Sequence, residues 1–285
     1  MVSQPDRGHG RGRRSRPSPV SACAQERGWP LLRPDEVGDS AAIEALREHT
    51  PDLGVVVAYG QFLPRKVREL PREGYLLNAH ASLLPRFRGA APIARAVLEG
   101  ETTTGISVMR IEREMDAGPV ALVRELTIGP EETTGELEGR LSLLAADAID
   151  AALQQVAEGT LQWRDQDPAQ ATVAPRLARE EARLNWQEDA DALVRRVRAF
   201  APKPGATTTL GGDTLRILAA RAVEDPTDRR PGRILLDPAQ REQPLRIATG
   251  RGWLVPLELQ RAGGRVLPVA DFLRGRPIDA ASEFG

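Results

Sequence analysis

Residues 75–92 read YLLNAHASLLPRFRGAAP, and the predicted fold is organised around this segment. Its apolar start predicts a short strand that carries Asn78 and His80 at its end. Because side chains alternate between the two faces of a strand, these two polar groups are expected on the same face. Pro85 cannot donate a hydrogen bond to a strand ladder and so ends the pairing, and Pro92 suits the first turn of a helix. Open α/β sheets place their chemistry at such strand ends.

Strands and helices alternate on either side of this stretch. The uniform apolar run Val55–Ala58 predicts a parallel strand that is buried on both faces. A helix opened by Pro64 follows, and further strands are predicted at 105–111 and 120–126. This order predicts an α/β domain with a doubly wound, mainly parallel sheet.

A capping box, Thr133 with Glu136, predicts the start of a long helix. The polar residues after Gly159 are interpreted as an interdomain linker. The predicted organisation is therefore a first domain over 1–160, a linker over 161–178 and a second domain over 179–285.

The second domain is predicted to contain one amphipathic helix followed by short strands separated by glycine turns. Several short strands at such spacing indicate a small barrel or a sandwich, and spacing alone does not choose between them. The predicted strands are Thr207–Leu210, Leu215–Ala220, Gly232–Leu236, Leu245–Ala248 and Trp253–Leu259.

Composition limits the protein class. The chain has 285 residues and 41% apolar content, enough for a sizeable core, and its one cysteine excludes an intramolecular disulfide framework. No apolar run approaches the roughly 20 residues of a membrane span, and the cytoplasm is the expected compartment. Residues 176–285 carry 19 basic and 15 acidic groups, which tilts this part mildly toward a polyanionic partner.

The segment Gln4–Pro19 is predicted to be a loop because it combines prolines and glycines with closely spaced arginines. A cationic loop suits phosphate contact, although a disordered basic start has the same composition. The arginines considered for this contact include Arg11, Arg13, Arg14 and Arg16.

Three motifs together resemble the methionyl-tRNA formyltransferase family of folate-dependent transferases. They are Asn78–Pro85, Arg88–Ile93 and Met115–Pro119. The resemblance implies a Rossmann-like catalytic domain, a C-terminal β-barrel of oligonucleotide-binding type, and Asn78, His80 and Asp116 as catalytic residues. It also implies that the segment Ser82, Leu83, Leu84 and Pro85 contacts the folate, and that Arg11, Arg13, Arg14 and Arg16 contact tRNA.

The sequence departs from the family pattern at its beginning. Only Met1–Ser3 precedes the Gln-Pro-Asp-Arg segment, so about one strand and helix of the family pattern is missing, and the recorded start is expected to lie downstream of the true one. Without a central strand, its neighbours would keep unpaired backbone groups beside an open slot in the core. A chain that truly began at Met1 is expected to be poorly stable and little active.

The resemblance implies formyl transfer from 10-formyltetrahydrofolate to the α-amine of initiator methionyl-tRNA. Asn78 and His80 would donate hydrogen bonds to the developing oxyanion, while Asp116 would orient the imidazole and favour its protonated form. No metal is predicted, because His9, His49 and His80 lie far apart in the sequence. The protein is expected to be a monomer without a membrane partner.

Other interpretations remain open at this point. Asn78 and His80 could form a structural pair, Asp116 could be a turn residue, and the segment 82–85 could merely end a strand. The chain could instead be another folate-dependent formyltransferase or hydrolase that acts on a sugar nucleotide or a purine precursor. A truncated remnant that binds tRNA without turnover is the non-enzymatic alternative.

Overall fold

The computed structural model describes residues 1–9, 14–237, 244–275 and 278–285. Its helices are α1 (Pro19–Glu26), α2 (Ser40–Glu48), α3 (Arg65–Arg68), α4 (Pro92–Glu99), α5 (Thr134–Glu158), α6 (Ala190–Phe200) and α7 (Val269–Gly275). Its strands are β1 (Arg7–His9), β2 (Arg14–Arg16), β3 (Gly54–Val56), β4 (Leu76–His80), β5 (Thr103–Arg110), β6 (Val120–Thr127), β7 (Ala206–Leu210), β8 (Asp213–Val223), β9 (Ile234–Leu236), β10 (Leu245–Ala248), β11 (Trp253–Arg261) and β12 (Val266–Pro268). None of these helices combines the length and the apolar character needed to cross a membrane.

The described chain divides into two compact units. The first consists of Met1–His80, Ser107–Val123 and Ala148–Asp167, and the second contains the remaining segments. β5, β6 and α5 each contribute residues to both units. The predicted domain boundaries at 160 and 179 stay a prediction.

The α/β sheet has the order β3-β4-β5-β6. β3 and β4 pair in parallel, whereas β4 and β5 are antiparallel, with His80 opposite Ser107. The predicted α/β, Rossmann-like architecture is confirmed, and the described part of its sheet is mixed. Leu76 and Leu77 lie on opposite faces of β4 and are both buried, so the apolar start of the strand is packed on both sides of the sheet.

The prediction that 55–58 is buried on both faces was wrong. β3 is an edge strand of the described sheet, and the side chains of Val55 and Val57 are 42% and 55% exposed. An apolar cavity of 870 Å³ lies against β3. Its lining includes Val2, Leu32, Val55, Val57, Leu63 and Leu70. Apolar composition indicated the strand correctly, but burial also depends on the neighbours on both sides, which composition does not specify.

The predicted basic loop contains a two-stranded ribbon. β1 and β2 are antiparallel, with Arg7 opposite Arg16 and Gly8 opposite Ser15. This is a correction to the prediction of an irregular loop. The three-residue strands carry no alternation of apolar and polar residues, so the periodicity that identifies half-buried strands is absent here.

The capping box of α5 is confirmed. The hydroxyl of Thr133 lies 3.3 Å from the backbone N–H of Glu136, which donates to it, and the Glu136 carboxylate accepts from the Thr133 N–H at 2.9 Å. The Thr133 hydroxyl donates to the same carboxylate at 2.8 Å. The bonds from the Thr133 N–H and hydroxyl to the carboxylate lower the pKa of Glu136. The helix buries Leu137 and Leu141, as its predicted apolar stripe requires.

The C-terminal antiparallel sheet follows the order β7-β8-β11-β10-β9, with β12 also paired to β11. The five predicted strands are present; β12 and α7 were not predicted. Isolated bridges join Leu210 of β7 to Phe284, and Arg233, next to β9, to Glu283. The tail 283–285 thus forms bridges with the edge strand β7 and with the residue before the other edge strand, β9. The described strands form an antiparallel sheet and not a closed barrel, so the predicted barrel of oligonucleotide-binding type stays a prediction.

An ion pair within the second unit makes a pH-dependent contribution to stability. Two Arg95 nitrogens donate to the two Glu181 carboxylate oxygens at 2.6 and 2.9 Å, and the Ala178 N–H also donates to this carboxylate. The pair with Arg95, followed by the bond from Ala178, lowers the pKa of Glu181. A depressed folded-state pKa contributes stability above the unfolded pKa, and this contribution is lost as the pH falls through the folded value.

We therefore expect Glu181→Gln to lower Tm by about 1–3 °C at pH 7, as for a partly exposed ion pair. The difference from the native chain should shrink as the pH falls below about 4. Thermal melts across this pH range, with the exposed neighbour variant Glu180→Gln as control, provide the test. A difference that did not change with pH would contradict the assignment to this ionisation.

Candidate active site

β4 presents two polar side chains at its C-terminal end. Asn78 and His80 are two residues apart in the strand and therefore share a face. His80 is buried with 6% exposure, whereas Asn78 is half-buried. The predicted strand, with an apolar start and a polar end, is confirmed, whereas the catalytic role of Asn78, His80 and Asp116 stays a prediction.

Asp116 lies beside His80 although 36 residues separate them in the sequence. One carboxylate oxygen of Asp116, Oδ2, is 3.5 Å from Nδ1 of His80, and the two side chains are 17% and 7% exposed. Asp116 has a φ of 51°, in the left-handed region that residues other than glycine seldom adopt. Unusual backbone conformations of this kind are often found at functional sites, where the surrounding structure maintains them.

Gln166 is a residue of this site that the sequence interpretation missed. Its side-chain nitrogen Nε2 donates to the backbone oxygens of Asp116 and Gly118 at 2.8 and 2.7 Å. It falls within the polar run that was interpreted as a linker. No sequence signal distinguished it, since Gln162 and Gln170 in the same run have the same residue type and a similar setting.

The cluster has the groups needed to stabilise a negatively charged oxygen in a partly water-excluded setting. Asn78 can supply amide N–H groups and His80 can supply a ring N–H, while the Asp116 carboxylate lies where it can accept a hydrogen bond from Nδ1 of His80. Buried donors act more strongly than donors in water because less solvent screens them. This arrangement suits acyl transfer through a tetrahedral intermediate.

The segment Ser82–Pro85 forms a turn in the second unit. The buried Ser82 hydroxyl donates to the backbone oxygen of Arg86 at 2.7 Å, and the Thr172 N–H donates to the oxygen of Pro85 at 3.3 Å. The turn is thus held from within and by a neighbouring segment. Its predicted contact with folate, through Ser82, Leu83, Leu84 and Pro85, stays a prediction.

The predicted tRNA-contacting arginines are only partly described. Arg11 and Arg13 lie outside the described residues, whereas Arg14 and Arg16 belong to β2. Arg16 is exposed. Arg86, which follows the segment 82–85, is paired with Glu101, and this hydrogen bond raises the pKa of Arg86 above its ordinary value.

Within the described ranges, no group of three or more His, Cys, Asp or Glu side chains is arranged to hold a metal ion.

Two family models match the chain. Residues 1–153 match a model described as formyl transferase, and residues 176–277 match one described as formyl transferase, C-terminal domain. Together these models cover most of the sequence and include the whole His80 cluster except Gln166.

Relatives that match nearly the whole chain identify the family more specifically than the two family models do. A methionyl-tRNA formyltransferase of Methylococcus capsulatus is 45% identical over 278 residues, covering 98% of this chain and 89% of the relative. One of Geobacter metallireducens is 40% identical over 285 residues, covering 100% and 90%. These identities extend over both units of the structure.

Solved structures share the fold at lower identity. HypX from Aquifex aeolicus in complex with tetrahydrofolic acid aligns with a TM-score of 0.63 and 21% identity, over 87% of this chain and 43% of HypX. The sugar 3N-formyl transferase WlaRD aligns with a TM-score of 0.64 and 13% identity, over 93% and 88%. These structures show the fold alone. The family models and the relatives that match nearly the whole sequence show the family: the chain belongs to the methionyl-tRNA formyltransferase family.

Proposed function

We propose that this chain transfers the formyl group of 10-formyltetrahydrofolate to the α-amino group of methionyl initiator tRNA, for translation initiation in the cytoplasm. The observation that carries the proposal is the approach of Asp116 to His80 at 3.5 Å, at the end of the strand that also presents Asn78. We further propose that the protein works as a monomer.

The reaction exchanges one carbon–nitrogen bond for another. The methionyl nitrogen attacks the formyl carbon, the bond from that carbon to the folate nitrogen breaks, and the proton lost by the amine is balanced by one gained by the folate nitrogen. The amine needs no covalent enzyme intermediate, because its reference pKa of about 7.7–8.0 leaves a large neutral fraction at physiological pH.

The three site residues take separate roles in this scheme. Asn78 donates to the oxyanion of the tetrahedral intermediate, a contact worth roughly 3–4 kcal/mol when such a donor is well placed. His80 donates to the same oxygen or passes a proton to the leaving nitrogen. Asp116 holds the His80 ring through Nδ1 and so aims its other nitrogen, Nε2, at the reacting atoms.

The folate and tRNA contacts complete the proposal. The turn Ser82–Pro85 follows β4 directly and is the segment assigned to folate. The C-terminal β-domain and the arginines Arg11, Arg13, Arg14 and Arg16 are assigned to the tRNA, where guanidinium groups would contact phosphates.

Salt dependence tests the arginine assignment. We expect tRNA affinity to fall as salt rises, with the slope of log K against log salt reduced in the double variant Arg14→Ala/Arg16→Ala, because two phosphate contacts are removed. Filter-binding titrations at several salt concentrations measure this slope. The double variant Arg47→Ala/Arg72→Ala removes two exposed arginines of the first unit that are not assigned to tRNA and serves as the charge-matched control. An unchanged slope for Arg14→Ala/Arg16→Ala would refute the phosphate role.

The choice of acceptor tests the function itself. With folate carrying a ¹³C-formyl group, mass spectrometry should find the label on methionyl-tRNA when that acceptor competes with an amino sugar nucleotide and a purine-precursor amine. Label on another acceptor would replace the proposal by that activity. Binding of tRNA without any labelled product would identify a non-catalytic tRNA-binding protein.

A further inference from the structure

We infer that Gln166 is a positioning residue of the active site, which holds the loop 112–119 so that the Asp116 carboxylate meets His80. The inference rests on the proposed function, since it assigns a catalytic consequence to that contact. All the residues that carry it belong to the first compact unit.

The loop between β5 and β6 has a backbone that needs external support. Asp116 has a positive φ, and the backbone approaches itself closely at Gly118, where a side-chain Cβ would lie 2.0 Å from the backbone oxygen of Arg110. A left-handed conformation is unfavourable for a residue with a Cβ, so a neighbouring group has to favour it. The loop conformation, and with it the direction of the Asp116 side chain, is therefore not determined by local preference.

The Gln166 side chain supplies this support through both of its donors. Nε2 lies 2.8 Å from the Asp116 backbone oxygen and 2.7 Å from that of Gly118, so one amide spans the two carbonyls on either side of Ala117. Carbonyl oxygens can only accept, which means that the amide nitrogen rather than the amide oxygen faces the loop. This geometry uses both N–H groups and sets the spacing between the two peptide units.

The segment that carries Gln166 is itself fixed to the same loop end. Arg164 and Val120 exchange two backbone hydrogen bonds at 2.8 and 2.9 Å, in an antiparallel bridge. The Trp163 ring packs edge-on against Tyr75, which directly precedes β4, with 5.3 Å between the ring centroids. Gln166 thus extends from a segment that is attached to β6 and to the residue before β4.

The Gln166 hydrogen bonds affect the chemistry through the orientation of the His80 ring. A carboxylate at 3.5 Å from Nδ1 directs the imidazole only when it is held in place, and an error of about 1 Å at a catalytic group can cost a factor of 100 in rate. Loss of the two Gln166 hydrogen bonds would release the loop without altering His80 or Asn78.

The test replaces Gln166 by methionine, which has a similar length and no N–H donor. We expect kcat for formyl transfer to fall about 10- to 100-fold. The KM values for folate and for tRNA should stay within about twofold of the native values, and the Tm within about 2 °C.

In an Asp116→Ala background, Gln166→Met should cause no further loss of kcat, because Gln166 acts through Asp116. Gln162→Met is the matched control, since the exposed Gln162 amide bonds Thr160 at 3.5 Å and not the loop.

Amide hydrogen exchange gives a readout that does not depend on turnover. We expect residues 114–118 to exchange faster in Gln166→Met, with the rest of β4 and β5 unchanged. A chain whose native form transfers no formyl group but shows this local change would refute the proposed function and uphold the positioning role. Native kcat together with native exchange in Gln166→Met would overturn the inference, as would an equal loss of kcat in the Asp116→Ala background.

A second variant keeps the inference testable if Gln166→Met does not fold. Gln166→Glu keeps the side-chain shape but turns a negatively charged oxygen toward two carbonyls. It should lower kcat at least as much as Gln166→Met does. A Gln166→Glu protein with native kcat would also overturn the inference.

Discussion

His80→Ala is expected to lower kcat for formyl transfer by about 10²–10⁴, because it removes both the general acid and one donor to the oxyanion. Affinity for methionyl-tRNA should stay within about twofold, since the tRNA contacts are assigned to the arginines and the C-terminal β-domain. Single-turnover formylation and filter binding measure the two quantities separately.

His80 is buried, so loss of folding has to be distinguished from loss of chemistry. Thermal melts identify an unfolded variant, and His80→Gln, which keeps more of the side-chain volume, provides a second case with the same expected loss. His49→Ala is the matched control because His49 is exposed at the end of α2. Full activity of a folded His80→Ala protein would show that His80 takes no part in the reaction.

Phe284→Ala is expected to have the largest effect on stability. The ring is 2% exposed and packs against Trp186 with 5.7 Å between centroids, in the core of the C-terminal β-domain. Its backbone N–H also donates to the Gly232 oxygen, and the adjacent Gly285 exchanges hydrogen bonds with Thr209. Truncation of a buried Phe to Ala costs about 3–5 kcal/mol, which corresponds to a decrease in Tm of roughly 10 °C.

Tryptophan fluorescence follows this melt directly, because Trp186 contacts the replaced ring. Phe62→Ala is the control, since Phe62 is 71% exposed and its removal creates no internal cavity. If Phe284→Ala melted within about 2 °C of the native chain, the tail could not be the element that joins the edges of this sheet.

The sequence predicted the centre of the site well because local patterns and motifs agreed there. Strand alternation predicted that Asn78 and His80 share a face, and the family resemblance connected them with Asp116. The long-range approach of Asp116 to His80 could not be predicted from spacing alone, because loop conformation sets it. The structure shows the physical basis of this approach in a left-handed residue and a close backbone contact at Gly118.

The other differences between the predicted and the observed structure have one physical origin. Each depends on which residues pack or pair with a segment in space, and the sequence of the segment itself does not specify these neighbours. Val55 belongs to an apolar run that is typical of a buried strand, but it lies at a sheet edge beside a cavity. Gln166 looks like any other residue of a polar segment until its carbonyl partners are known. The short strands β1 and β2 and the tail 283–285 depend on pairing partners in the same way.

A double-mutant cycle on His80 and Asp116 tests the central claim most directly. The single-turnover rate of formyl transfer would be measured for the native chain, His80→Ala, Asp116→Ala and the double variant, at saturating folate and tRNA. Because Asp116 is proposed to act only by orienting His80, the double variant should be no slower than His80→Ala alone. Losses that multiply in the double variant would show that the two residues act independently and would contradict the proposed site.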